Sequence, residues 1–170
     1  TGAQAIAGEW GHNALPLPRD DERPGPRCYC GAIGCIETWL SGPALQGQFA
    51  TRTGRTLRAT DIAEAALAGD AEATAEIERY CDRLARSLSV IINILDPHAI
   101  VLGGGLSRIA QLYRRVPERW KEYVFSERDS IATRLLPPKY GDSSGVRGAS
   151  PCAASLSKPY RAAESSDMAA

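Results

Sequence analysis

Residues 91–105 read Ile91-Ile92-Asn93-Ile94-Leu95-Asp96-Pro97-His98-Ala99-Ile100-Val101-Leu102-Gly103-Gly104-Gly105, and three kinds of element meet in them. The apolar residues on the left close a longer series, Ile77, Tyr80, Cys81, Leu84, Leu88, Ile91, Ile92 and Leu95. Their three- and four-residue spacing places them on one face of a helix predicted over 71–94. Asp96-Pro97 stops that helix. Ala99 to Leu102 then reads as a short buried strand, and it runs into three glycines. Beyond them, 106–120 is predicted helical with a break near Pro117. Helix, strand, glycine turn and helix in this order make the fold class α/β.

A short helix is expected from Ile36 to about Phe49, interrupted by Ser41-Gly42-Pro43. Asp61 with Glu64 resembles a capping box that opens a helix ending near Ala68. A second strand is placed over 131–136. The first forty residues are rich in Gly, Pro and Cys, and Pro16, Pro18, Pro24 and Pro26 interrupt any regular element. This stretch is read as loop, ordered by something other than its own backbone hydrogen bonds. After Gly148 the residues are small and polar with no period, so 150–170 is read as a divergent, disordered tail.

The chain has 170 residues, of which 44% are hydrophobic and 24% charged, the content of a globular protein with one core of ordinary size. Twenty Lys plus Arg balance twenty Asp plus Glu. That balance gives no net positive field, so nucleic acid and anionic lipid are not the expected partners. No run approaches the roughly 20 apolar residues of a membrane span, and the cytoplasm is the expected compartment. Met168 is the only methionine, so Thr1 is expected to be internal to a longer product.

Cys28, Cys30 and Cys35 fall within eight residues, whereas Cys81 and Cys152 stand alone. Clustering of this kind points to metal before disulfides. Zinc takes four tetrahedral nitrogen and sulfur ligands, and His12 would close the shell from a distant segment; four protein ligands make such a site structural. The alternative is three reduced cysteines packed in a loop. Two carboxylates flank the ligands: Glu9 lies three residues before His12 and Glu37 two after Cys35. Carboxylates tied to one metal node suit a polyhydroxylated ligand such as a sugar, although each alone would ordinarily be a solvated surface residue. Gly103, Gly104 and Gly105 between strand and helix permit close approach of backbone to a nucleotide. A plain tight turn fits the same pattern, which lacks the Lys-Ser/Thr of a P-loop.

Gly8-Glu9-Trp10-Gly11-His12 followed by Cys28-Tyr29-Cys30-Gly31-Ala32-Ile33-Gly34-Cys35-Ile36-Glu37-Thr38 resembles the paired signature of ROK-family sugar kinases and repressors. Asn93 to Gly105 resembles the family's adenosine-side segment, and Gly141 to Ala149 its closing motif. The Glu-Trp-Gly-His form and the ending are most similar to proteobacterial fructokinases with mannokinase side activity. The resemblance covers about 8–149 and implies the C-terminal lobe of an actin-like, RNase H-type ATPase fold. Within it, 1–40 would form the zinc and sugar loop and 41–149 the helical, adenosine-side part. It places Glu9, His12 and Glu37 on sugar hydroxyls, His12, Cys28, Cys30 and Cys35 on zinc, and Gly103 to Gly105 beside ATP.

The resemblance further implies phosphorylation of a hexose, fructose first, with Mg and ATP as co-substrate and a homodimer as the intact enzyme. The family's phosphate loop and its catalytic Asp have no counterpart here, so no catalytic residue is assigned and the chain alone is expected to be inactive. Two other functions remain open, a fragment of a sugar-sensing repressor and a zinc-stabilised binding or dimerisation module.

Overall fold

The computed structural model describes residues 3–4, 6, 8–127 and 131–141. The tail at 150–170 and most of the closing motif, 142–149, lie outside the described residues. Among the described residues, five helices and two strands follow in the order α1 (Glu37–Leu40), α2 (Gly42–Thr53), α3 (Ala59–Leu67), α4 (Ala71–Leu95), β1 (Ala99–Val101), α5 (Leu112–Trp120) and β2 (Arg134–Leu136). Short 3₁₀ turns cover Trp10–His12, Asp20–Glu22 and Gly105–Arg108.

The centre of the molecule is α4. Asp70 opens it by accepting a hydrogen bond from the amide of Ala73 at 3.0 Å, which satisfies one of the orphan donors of the first turn. Asp96 closes it in the left-handed conformation at φ 43°, and Pro97 prevents continuation. Ile77, Tyr80, Cys81, Leu84, Leu88 and Ile92 are buried as the periodicity predicts, while Ile91 is half-buried and Leu95 at the C-terminal end is exposed. The opposite face of α4 is also buried over 81–89, including Asp82, Arg83, Arg86, Ser87 and Ser89. An amphipathic pattern predicts a solvated polar face there. For Asp82, Arg83, Arg86 and Ser89, ion pairs and chain carbonyls replace the water.

The helix expected over 36–49 is two helices. Ser41 caps α2 by accepting from the Ala44 amide at 3.2 Å, and Pro43 sits in the first turn, where its missing N–H is no loss. Without a breaker until Gly54 at φ 71°, α2 continues to Thr53. The capping box expected of Asp61 and Glu64 is not formed: α3 starts at Ala59, and Asp61 instead receives the Arg58 guanidinium at 2.8 and 2.9 Å.

Strands β1 and β2 pair in parallel, with Ala99, Ile100 and Val101 opposite Arg134, Leu135 and Leu136. The connection passes through α5, which makes a βαβ unit. The break expected at Pro117 lies earlier, at Ile109, whose backbone is extended and whose side chain is buried in the core. Pro117 is inside α5. The hydrogen bond it forfeits, to the Tyr113 carbonyl, lies in the first turn of α5, and buried Val116 and Trp120 hold the helix across it.

Candidate functional site

The site grows from the loop between Glu9 and Glu37. In the 3₁₀ turn at Trp10–His12, residues three apart eclipse one another, so Glu9 and His12 face the same side, and the His12 amide donates to the Glu9 carbonyl at 3.1 Å. Glu37 is the first residue of α1. Two backbone links bring it opposite: Leu15 donates to Gly34 O at 2.9 Å and Ile36 to Asn13 O at 2.8 Å. Gly11 packs against Glu37: a Cβ there would sit 3.4 Å from the Glu37 Cβ, at the near edge of van der Waals contact.

The result is a triangle of polar atoms. His12 Nε2 lies 3.7 Å from Glu9 Oε2 and 3.6 Å from Glu37 Oε2. Tyr29 Oη is 2.9 Å from the same nitrogen, with the two rings edge to face. Desolvation and then the negative charge of Glu37 raise the Tyr29 hydroxyl above its ordinary value.

The other ring nitrogen faces the cysteines. Cys28 and Cys30 ride on a hairpin in which Arg27 bridges Ile33, Cys28 N donates to Ala32 O at 2.8 Å and Gly31 N to Cys28 O at 3.0 Å. His12 Nδ1 is 3.5 Å from Cys28 Sγ, and Cys30 Sγ is 3.7 Å from Cys35 Sγ. For a tetrahedral zinc with bonds of about 2.3 Å to sulfur and 2.0–2.1 Å to nitrogen, the edges are about 3.6 and 3.8 Å. The four donor atoms all lie within 4.8 Å of one another, so the donor set and its spacing fit zinc. The Ala32 amide favours the Cys30 thiolate and lowers it, while burial raises Cys35.

The loop has a second anchor that sequence reasoning missed. Arg83 and Arg86 rise from α4, both buried. Arg86 donates to both oxygens of Glu22 and to the carbonyls of Pro16 and Leu17. Arg83 donates to Glu22 at 2.7 Å and to Gln48, and its guanidinium lies 4.6 Å from the ring centre of Trp39 in α1. Burial alone would raise Glu22, but the bonds from Arg86, the Arg19 amide and Arg83 outweigh it and hold the carboxyl at about 2. The loop is therefore ordered by its own backbone bonds and by α4, apart from any hold that the candidate metal ligands would add. Arginines three apart on a helix, matched to an isolated acidic 3₁₀ turn at 20–22, were the available signal.

The three glycines lie elsewhere. Gly104 has φ 75° and Gly105 opens a 3₁₀ turn. Gly105 lines a cleft of about 450 Å³ with Pro43, Arg58, Thr60, Leu106 and Arg108. Gly103 and Gly104 do not line it, and a Cβ on any of the three would meet nothing within 4 Å.

The family model described as ROK family matches residues 1–155. The N-acetyl-D-glucosamine kinase of Yersinia pseudotuberculosis (serotype O:1b, strain IP 31758) is 39% identical over 153 residues, covering 88% of this chain and 50% of that protein. The ROK hexokinase of Thermus thermophilus superposes with a TM-score of 0.71 at 27% identity, over 87% of this chain and 47% of that one. A ROK family glucokinase from Streptomyces griseus, in complex with glucose and AMPPNP, gives 0.72 at 24% identity, over 86% and 51%. The chain spans about half the length of the curated relatives it matches.

Proposed function

The chain belongs to the ROK family, and from that premise we propose that it supplies the hexose-binding half of an ATP-dependent sugar kinase. The observation that carries this reading is the position of His12 Nε2 between two carboxylates, 3.7 and 3.6 Å away, while Nδ1 faces the cysteines. With Nδ1 given to zinc, Nε2 carries the ring proton. A donor beside two acceptors matches adjacent sugar hydroxyls, each of which accepts one bond and donates another.

In this reading His12, Cys28, Cys30 and Cys35 hold zinc, which fixes the loop and the histidine tautomer. Glu9, His12 and Glu37 bind and orient the hexose. The cleft beside Gly105, with Arg58, Thr60 and Arg108 on its walls, receives part of the nucleotide, and Gly103 and Gly104 give its approach an open backbone. Phosphoryl transfer also needs Mg-ATP held in line with the hydroxyl and a base to take its proton. Those groups belong to the half of the family's length not covered here, and the intact enzyme is proposed to be a homodimer.

The resemblance of Glu9 to His12 and of the ending favours fructose as the hexose. N-acetyl-D-glucosamine is the second reading, favoured by the 39% identical relative. A coupled assay with ATP and each of fructose, mannose, glucose and N-acetyl-D-glucosamine separates them. It is run on the zinc-loaded chain alone and mixed with the N-terminal half of a relative. The expected result is turnover only in the mixture, fastest with fructose. Turnover by the chain alone would place the base within it, and absence of hexose binding in both samples would sink the kinase reading.

A further inference from the structure

Tyr29 is held at its backbone by the hairpin, while its ring touches His12 edge to face and is otherwise open to solvent. It sits between Cys28 and Cys30 of the hairpin, yet the residue is 82% exposed. Its hydroxyl makes a 2.9 Å contact with His12 Nε2, the atom that Glu9 and Glu37 flank. When Nδ1 faces the metal, that contact has one polarity: Nε2–H donates and the tyrosine oxygen accepts, leaving the phenolic proton for a neighbouring carboxylate. A sugar hydroxyl in the same place would accept from His12 and donate to Glu9 or Glu37. The two hydroxyls need the same position and the same proton, and His12 Nε2 has one proton to give.

We propose that Tyr29 is a specificity-determining gate of the hexose site, its hydroxyl standing in for a sugar hydroxyl on His12 Nε2 and leaving when the sugar binds. The inference rests on the hexose reading of Glu9, His12 and Glu37. An exposed ring meets little packing resistance when it turns about its side-chain bonds, whereas the zinc hairpin prevents its backbone from following. Displacement then selects for a hexose: a sugar with a hydroxyl that reaches His12 and a carboxylate together replaces the tyrosine bond in full. One lacking it leaves Nε2 unpaired or Tyr29 in place.

The test uses the full zinc-loaded chain, wild type and Tyr29→Phe, in long-range proton–nitrogen NMR of the two histidine rings, His12 and His98. Fructose, glucose and N-acetyl-D-glucosamine are titrated in turn, with zinc content measured as the control for folding. In the variant without sugar, the His12 Nε2 signal is expected to shift while His98 stays in place. Hexose binding is expected to tighten by about two- to tenfold, the range of one hydrogen bond no longer displaced. An unmoved His12 signal, or hexose affinity that is equal or weaker in the variant, overturns the gate while leaving the hexose site standing. A His12 signal that responds to Tyr29→Phe but to no hexose in either protein overturns the hexose reading itself, and the gate with it.

Discussion

Arg86 holds Glu22 by both oxygens, with Nη2 at 2.8 Å from Oε1 and 2.9 Å from Oε2. The residues are 64 apart in sequence, and the same guanidinium reaches the carbonyls of Pro16 and Leu17. One side chain of α4 thus fixes the loop that follows His12. Arg83, one turn away, reaches Trp39 beside Glu37. The segments that follow His12 and Glu37 are thus both anchored to one helix.

Arg86→Met is expected to destabilise the chain by about 3 kcal/mol, the lower end of the range for breaking a buried ion pair, because Arg83 and the Arg19 amide still reach Glu22. Urea unfolding followed by tryptophan fluorescence measures it. A change below about 0.5 kcal/mol, the level of a surface substitution, would show that the pair is solvated.

Stability should fall in acid through Glu22. Its folded value of about 2 is below the ordinary 4.5, so the unfolded chain binds the proton first. The contribution is therefore complete above about pH 4.5 and is lost as pH falls toward 2, with about 3 kcal/mol at stake. Denaturation midpoints between pH 6 and pH 2 should drop more steeply for wild type than for Glu22→Gln, and parallel profiles would exclude this group.

One zinc per chain is expected by elemental analysis, and Cys30→Ser should lose it. Chelation should make Cys28, Cys30 and Cys35 reactive to alkylation while buried Cys81 stays protected. Because Arg86 holds 16–22 independently of the thiolates, hydrogen exchange after chelation should rise at 28–35 before it rises at 16–22. Simultaneous loss at both would mean that the metal alone orders the loop.

Gly25→Ala is expected to weaken both folding and zinc binding. Gly25 has φ +85°, and an added Cβ would lie 2.7 Å from the Gly34 Cα, backbone that has no rotamer to yield. The left-handed conformation alone costs about 1–2 kcal/mol with a side chain. Thermal unfolding and zinc titration of the variant, compared with exposed Gly47→Ala in α2, give the measurement; equal behaviour of the two would contradict the clash.

Glu37→Gln in the intact enzyme should weaken hexose binding about tenfold, a loss of about 1.4 kcal/mol, with the KM for ATP unchanged. The estimate is modest because the Glu37 side chain is 42% exposed, so water screens part of its bond. Equal losses for both substrates would make Glu37 a structural residue.

The sequence by itself determined the elements whose causes are local. The apolar spacing from Ile77 to Ile92 and the Asp96-Pro97 stop set α4, and the order helix, strand, glycine turn, helix set the α/β class. The cysteine spacing with His12 and the two nearby glutamates marked the candidate site, because metal ligands and carboxylates are legible as residue types at short range. Tertiary structure alone decided the rest. Periodicity cannot tell a solvated charge from one buried against a partner 64 residues away, so it says nothing of the pairing of Arg86 with Glu22. Nor can it tell which nitrogen of His12 faces the thiolates or that Tyr29 turns onto the other. Those choices depend on distances across the loop, which exist only once Leu15, Gly34 and α4 have closed it.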